Sequence, residues 1–479
     1  MNENRMTLKR TLKPHWVWAI ALGSSIGWGA FVQPTNWIKE AGPMGVIIGF
    51  LIGAMLMMLI AVSYGILIKY LPVSGGEFAY TFFSFGRIHA FICGWFLSLG
   101  YICIVALNAS AFSLMLKYIF PEFIEQFKLY QLADWDVYIT EILVAILVLL
   151  IFGYLNIIGT KLSGRVQFYF CVMMLLSVSL ITVLVGISPD TSIHNLQPSF
   201  VPNQSMFFSV ISIVAIAPWA FVGFDNIPQT AEEFNFNSKK AFGLIIFALF
   251  AAFLLYSLMV ISTAMTMPWQ ELVKNDVIWG TGTAIQGLLG SVGLVLLVVA
   301  LSMGIFTGLN GFIVSSSRLL FAMSRAKMLP TIFSRLHPKH QTPYFSIVFT
   351  ILIAMIAPWF GREVLLWIVD MSSIGVSIAY FYTCLTAYDF LKRKTVQRTW
   401  RNQLKRMITI IGVIASLIFI GLLLVPGSPA FLGKESRIAL IVWTILGVMI
   451  YFIKRKDYHA ISQEELNYLI LGQSNKSKF

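Results

Sequence analysis

The chain is 479 residues long, 58% hydrophobic and only 11% charged, with a formal net charge of +13. Soluble domains carry about 25% charged residues, so this composition excludes an ordinary soluble domain and fits a multi-pass membrane protein. The basic excess could suggest nucleic acid, but its placement beside apolar segments argues for a topology signal and against a nucleic-acid partner.

A membrane-spanning helix needs about 20 mainly apolar residues. Such segments recur at roughly 15–38, 44–69, 88–119, 138–158, 163–187, 206–230, 240–267, 284–324, 343–360, 364–391, 407–425 and 437–454, which predicts twelve spans. The first is too long and too interrupted by glycine for a cleaved signal peptide, and no small-residue cleavage site follows it. Arg5, Lys9, Arg10 and Lys13 precede span 1. Lys69 and Arg87, Lys161 and Arg165, Lys239 and Lys240, and Arg325, Lys327, Arg335 and Lys339 lie in the loops after spans 2, 4, 6 and 8. Lys392, Arg393, Lys394, Arg398, Arg401, Lys405 and Arg406 follow span 10, and Lys454, Arg455, Lys456, Lys476 and Lys478 follow span 12. The opposite loops hold only Lys39, Lys117, Lys128, Lys274, Arg362, Lys434 and Arg437. The positive-inside rule then puts both termini in the cytoplasm and the spans in the cell membrane, with the basic loops touching anionic lipid.

Residues 1–14 form a basic cytoplasmic tail. Span 1 carries Gly23-Ser24-Ser25-Ile26-Gly27-Trp28-Gly29-Ala30-Phe31. Three glycines and two serines weaken a helix near mid-membrane, and irregular backbone is tolerated there only inside protein or beside a wet cavity. Freed N–H groups at such a break attract an anion. Close helix packing through Gly23 and Gly27 is the competing reading. Span 2 is featureless, and Pro72–Tyr80 reads as a cytoplasmic turn and short helix. Tyr101, at mid-membrane in span 3, needs a hydrogen-bond partner. Glu122, Glu125, Asp134 and Asp136 read as a solvated acidic loop. Span 5 holds Ser177 and Ser179 but no ionisable residue after Arg165.

Residues 188–205 are a polar external connection. In span 6, Pro218, Gly223 and Pro228 weaken the helix. Asp225 lies among them, and a mid-membrane carboxylate costs at least ~2.5–3.5 kcal/mol unless paired or hydrated. Glu232 and Glu233 read as surface acids in cytoplasmic water. Span 7 is plain. In span 8, Thr307, Asn310, Phe312 and the run Ser315-Ser316-Ser317-Arg318 are polar on several faces, which predicts a cavity-facing stretch, with Arg318 snorkelling to the inner interface. Asp370 opens span 10 near the outer boundary, where a structural partner and a functional role are equally open. Spans 11 and 12 look peripheral, and the tail after Asp457 fits a short amphipathic helix. Cys93, Cys103, Cys171 and Cys384 sit in apolar segments and read as buried hydrophobes without disulfides.

The interrupted spans 1 and 6 are five apart, so they cross in opposite directions. Corresponding broken spans point to an inverted-repeat transporter with a mid-membrane site. Residues 15–187 and 206–391 are then the repeats. Residues 392–456 add two spans with their basic loop, and 457–479 form a cytoplasmic tail.

The motif Gly23–Phe31 resembles the span 1 signature of the amino acid–polyamine–organocation (APC) permeases. Trp219-Ala-Phe-Val-Gly-Phe-Asp225, followed by Ala231-Glu-Glu233, resembles their span 6 signature. Ser316–Leu320, leading to Ala326–Pro330, is similar to their span 8 ending. The resemblance implies an all-α, leucine-transporter-type fold with a 5+5 inverted repeat and transport by alternating access. It implies that the backbone of Gly27, Trp28, Gly29 and Ala30 meets the substrate carboxylate. The carbonyls of Ser24, Ser25, Ile26, Trp219, Ala220 and Val222 would meet its amino group. Trp219 matches a gating position, with Phe224 and Asp225 beside it in the gating and coupling region, and Tyr101 and Phe312 match positions around the site. Two departures stand out. Trp28 replaces a residue that is small in many members, and Met174 stands where proton-coupled relatives carry a lysine.

The leading reading is a secondary transporter of an amino acid or derived amine, working as an exchanger or symporter with a proton or counter-substrate. A polyamine or biogenic-amine permease, and a non-transporting amino-acid sensor on the same fold, are the alternatives. An intramembrane enzyme is disfavoured because His15, His89, His194, His337, His340 and His459 fall at helix ends or in loops. No Gly-x-x-x-x-Gly-Lys phosphate loop is present, which argues against an ATP-driven pump. No metal or cofactor is implied.

Overall fold

The computed structural model describes residues 5–132, 135–274, 279–361, 364–393 and 399–472. Asp134, Arg362, Lys394, Arg398, Lys476 and Lys478, which entered the loop and charge readings, lie outside the described residues. The first apolar segment is divided into α1 (Pro14–Ile26) and α2 (Gly29–Val32). α3 (Pro34–Tyr70) turns at Gly42, just before Pro43, and α4 (Gly76–Ile119) turns at Gly86. The apolar runs at 44–69 and 88–119 therefore start just past these turns. α5 (Pro121–Ile124) leads into a hairpin of β1 (Lys128–Leu132) and β2 (Trp135–Tyr138). α6 (Ile139–Ile158) and α7 (Thr160–Ile187) follow.

The sixth segment is broken into α8 (Met206–Ala215), α9 (Ala217–Ala220) and α10 (Asn226–Gln229). Next come α11 (Ala241–Ala264), α12 (Trp269–Leu272), α13 (Gly280–Arg325, turning at Gly290), α14 (Tyr344–Ala354) and α15 (Val364–Lys392). α16 (Trp400–Leu424), α17 (Lys434–His459) and α18 (Gln463–Leu471) end the described chain. Among the described residues, nine helices are long and apolar enough to cross a membrane, and Met206–Ala215 and Tyr344–Phe360 are shorter apolar ones. The fold is an all-α, multi-pass membrane architecture, with a single two-stranded hairpin among the described residues.

That hairpin gives structure to the acidic loop, whose Glu122 and Glu125 are exposed as expected. Asp136 pairs with Lys128 at 2.6 Å, and Lys117 covers the rings of Trp135 and Tyr138. Inside the bundle α4 packs along α15 and α13, α3 along α11, and α13 along α7. α1 is enclosed by α7, α11 and α13. α17 is the most exposed of the long helices. It is held to α4 by stacked Trp95 and Trp443, whose indoles each donate to the other's carbonyl, at 2.9 and 3.1 Å. Asp370 has a structural partner, the start of α17, where it accepts from Gly433 N at 3.0 Å and Ser436 Oγ at 2.8 Å.

Three expectations are overturned by packing. Arg318 does not snorkel: it is fully buried, and donates to Glu233 at 2.8 Å, Thr160 Oγ1 at 2.9 Å and Ser317 Oγ at 2.9 Å. Glu232 and Glu233 are not surface acids. Glu233 is 1% exposed, and Glu232 is held by Arg5 and Arg325. The serine run does not face a cavity. Ser315, Ser316 and Ser317 are buried in the helix packing, where Ser316 meets Thr350 at 2.9 Å. A charged group cannot reach the interface when neighbouring elements cover it, so ion pairing replaces hydration.

Candidate functional site

The two breaks lie against each other. α1 stops at Ile26, and Gly27 turns the chain with φ +51°. In the sixth segment Gly223 has φ +132°, and a Cβ there would lie 2.5 Å from Ser25 N. Only glycine allows that backbone and that approach. Ser25 Oγ lies 3.2 Å from Phe221 O and 2.9 Å from Ala21 O. Tyr256, from α11, places its hydroxyl 2.7 Å from Ser25 O and 2.8 Å from Ala220 O. One hydroxyl hydrogen serves two carbonyls, one from each break, so one lone-pair direction stays open to another donor.

A cavity of about 20 Å³ lies at this junction. Its lining includes Ser24, Ser25, Ile26, Gly27, Trp28, Gly29, Trp219 and Val222, all singled out from sequence, and adds Ile104, Leu107, Asn108 and Tyr256. That volume has room for about one water, so the site is contracted. Trp28 and Trp219 close it, with ring centroids 6.3 Å apart. Trp219 rests directly on Gly29, where a Cβ would be 2.6 Å from its ring. Ser24 Oγ, Trp28 Nε1 and Asn108 Oδ1 are buried without a hydrogen-bond partner. The Trp28 N–H bonds no backbone acceptor among the described residues, and Gly29 and Ala30 open α2, where the first N–H groups have no partner within their own helix. The junction thus offers stranded donors on one wall and shared carbonyls on the other.

Not every expected residue lines the cavity. Ala30, Ala220, Tyr101, Phe312, Phe224 and Asp225 lie outside its lining. Ala220 contributes its carbonyl to Tyr256. Tyr101 donates to Asp225 Oδ2 at 2.7 Å, and Gly223 N donates to Asp225 Oδ1 at 2.7 Å. The acid is fully buried and turned onto its own break. Phe312 packs on Tyr101 at 5.6 Å, and Phe224 lies among Tyr64 and Tyr380.

Sequence reading missed Tyr256 and Asn108, and it missed the network behind α1. Met174 is simply buried. Seven residues earlier on α7, Gln167 Nε2 lies 3.1 Å from the carbonyls of both Ala19 and Thr307. Its Oε1 accepts from Asn310 Nδ2 at 2.8 Å, and Asn310 Oδ1 accepts from Asn156 at 2.9 Å and Ser163 at 2.8 Å. A buried amide in an apolar segment demands partners, and that signal could have flagged Asn108, Asn156 and Gln167.

A larger cavity of about 240 Å³ adjoins Trp28 on the hairpin side, lined by Gln33, Asn36, Tyr118, Trp135 and Trp279 among others. The opposite end is sealed. Leu8 and Leu12 are buried, Thr11 N and Leu12 N donate to Glu233 O, and Arg5 joins Glu232 to the α18 carbonyl of Leu469. Burial raises the Glu232 carboxyl, but Arg325 and Arg5 overcome it and hold the group at about 2.

The family model described as amino acid permease matches residues 16–452. The chain is 27% identical to the branched-chain amino acid permease BcaP of Bacillus subtilis, over 95% of each chain. It is 26% identical to the methylthioribose transporter of the same organism, over 95% of this chain and 96% of that one. To the serine/threonine exchanger SteT of Bacillus subtilis it is 24% identical, over 90% of this chain and 98% of the relative. Two broken helices meeting at a small polar cavity, in a multi-pass chain matched along nearly its whole length, make this protein a member of the amino acid permease family within the APC superfamily.

Proposed function

We propose that the protein moves a neutral, apolar amino acid across the cell membrane by alternating access, through twelve spans arranged as two inverted repeats, 15–187 and 206–391. Both termini are cytoplasmic, so the 240 Å³ cavity is the outer vestibule and the Arg5 end is the closed inner face. The substrate carboxylate meets the N–H groups of Trp28, Gly29 and Ala30. Its ammonium meets the carbonyls of Ser25 and Ala220, beside Tyr256. Trp28 and Trp219 part to admit it.

The observation that carries this reading is Tyr256, whose single hydroxyl joins the two breaks at the cavity. The side-chain class follows from the lining. Ile26, Ile104, Leu107, Val222 and two tryptophans surround the cavity, and no ionisable group other than the Tyr256 phenol lines it. A cationic side chain would find no counter-charge there, because Asp225 is occupied by Tyr101 and Gly223. The branched-chain permease among the relatives fits the same chemistry.

The test is uptake of radiolabelled leucine, valine, lysine and putrescine into proteoliposomes holding the purified chain. Saturable uptake of leucine or valine, with little for lysine or putrescine, is expected. Faster putrescine uptake would favour the amine-permease alternative. A leucine-induced thermal shift with no uptake of any substrate would favour the sensor.

A further inference from the structure

Glu77 and Gln229 form a buried pair that the substrate cavity does not use. Glu77 stands in the first turn of α4, fully enclosed, and Gln229 ends α10, also fully enclosed. Gln229 Nε2 donates to Glu77 Oε2 at 2.6 Å. The other oxygen of each group, Glu77 Oε1 and Gln229 Oε1, has no partner. The Tyr64 hydroxyl, likewise buried and unpartnered, is a donor within reach of the Glu77 carboxyl, whereas Gln229 Oε1 is left without one.

Among the described residues, no lysine or arginine ion-pairs with Glu77. The ionisable groups within electrostatic reach are acids, phenols and a thiol: Asp225 by the sixth-segment break, Tyr64 on α3, Tyr80, Cys93 and Tyr101 on α4, and Tyr380 on α15. α13 meets the same loop where Ala322 faces Gly75. Its arginines, Arg318 and Arg325, are already committed to Glu233 and Glu232. A buried carboxylate with no cation neutralises itself by taking up a proton. Placed on Oε1, that proton makes a donor facing the amide, and the acid and amide close a cyclic pair. That hydrogen satisfies the stranded amide oxygen.

We propose that Glu77 is a proton-binding site, and that the proton held between Glu77 and Gln229 is the ion moved together with the substrate. The inference rests on the transport reading above and names its coupling ion. Gln229 ends the second half of the broken sixth segment. The loop meets it closely: a Cβ at Gly76 would lie 3.0 Å from Pro228 Cβ and 3.2 Å from Gln229 Nε2. Protonated, the pair ties α4 to α10 and keeps the Arg5 end shut. When Glu77 gives its proton to water, a bare carboxylate faces the amide oxygen, and the loop parts from α10.

The test uses the full chain in proteoliposomes with a trapped pH dye and leucine as the probe. Wild-type protein should carry protons inward with leucine and should accumulate leucine when the lumen is alkaline. Glu77→Gln should lose both, while leucine–leucine exchange continues at a rate that no longer depends on pH. Gradient-driven accumulation by Glu77→Gln equal to wild type would overturn the proposal. An independent readout is infrared difference spectroscopy during a pH titration. The carbonyl band of a protonated carboxylic acid should vanish in Glu77→Gln and shift in Gln229→Leu, which keeps the acid and serves if the first variant does not fold. A band unchanged in both variants would overturn the proposal. If the wild type moves no amino acid while the Glu77 band is present, the transport reading fails and the proton site stands.

Discussion

Arg318 and Glu233 face each other at 2.8 Å in the protein interior, with side chains 0% and 2% exposed. The arginine ends a polar run on α13, and the acid follows the second half of the broken segment. Breaking such a buried pair leaves one uncompensated charge and destabilises by about 3–5 kcal/mol. Glu233→Gln and Arg318→Met should each lower the melting temperature sharply. The double variant should be less damaged than the sum of the two, measured by thermal unfolding in detergent. Simple additivity would mean that the pair is not coupled.

Tyr256→Phe keeps the ring stacked on Phe50 at 4.9 Å and removes only the hydroxyl that joins Ser25 O to Ala220 O. A net hydrogen bond contributes about 0.5–1.5 kcal/mol, so apparent leucine affinity should fall about two- to twelvefold. Competition uptake measures it. An unchanged affinity would remove the hydroxyl from the binding geometry.

Trp28 borders both the contracted cavity and the larger one. Trp28→Ala should merge the two and let bulkier side chains, such as those of phenylalanine and tryptophan, compete for uptake. A substrate profile identical to wild type would place Trp28 outside the selecting wall.

Asp225 accepts from Tyr101 and from Gly223 N, and it is not part of the cavity wall. Asparagine offers one acceptor oxygen in place of two, so one buried donor is stranded at a cost of about 1–3 kcal/mol. Asp225→Asn should therefore reduce neutral and cationic substrates alike and lower thermal stability. A loss confined to cationic substrates would restore Asp225 as a substrate counter-charge.

The Glu232 carboxyl is held at about 2, below its ordinary 4.5. A lowered folded-state value means that its stabilisation is complete above the ordinary value and fades as pH falls towards 2. The stability gap between wild type and Glu232→Gln should be constant from neutral pH to about 4.5 and should then shrink as acid is added. Melting scans in a pH series report it; a gap that widens in acid would contradict the Arg325 and Arg5 contacts.

The two breaks were legible in the sequence because glycines and serines in span 1, and Pro218, Gly223 and Pro228 in span 6, interrupt otherwise apolar helices. Most of the cavity wall followed from them, since the residues beside a break are the ones that face it. Tyr101 and Asp225 were each flagged as needing a partner, and each is the other's. Tyr256 was hidden because a tyrosine in a plain apolar span carries no local sign of which backbone it will reach. Arg318, Glu232 and Glu233 were misread for a related reason: near a helix end, sequence cannot tell water from a covering segment. Here Leu8, Leu12 and α18 provide the cover.

The bridge made by Gln167 between the carbonyls of Ala19 and Thr307 is built wholly from uncharged groups. An ammonium or a metal ion at such a joint would make its strength depend on what is dissolved around the protein. An amide does not. Exchanging sodium for potassium or choline in the buffer should leave the joint, and the rate of any step that hinges on it, where it was.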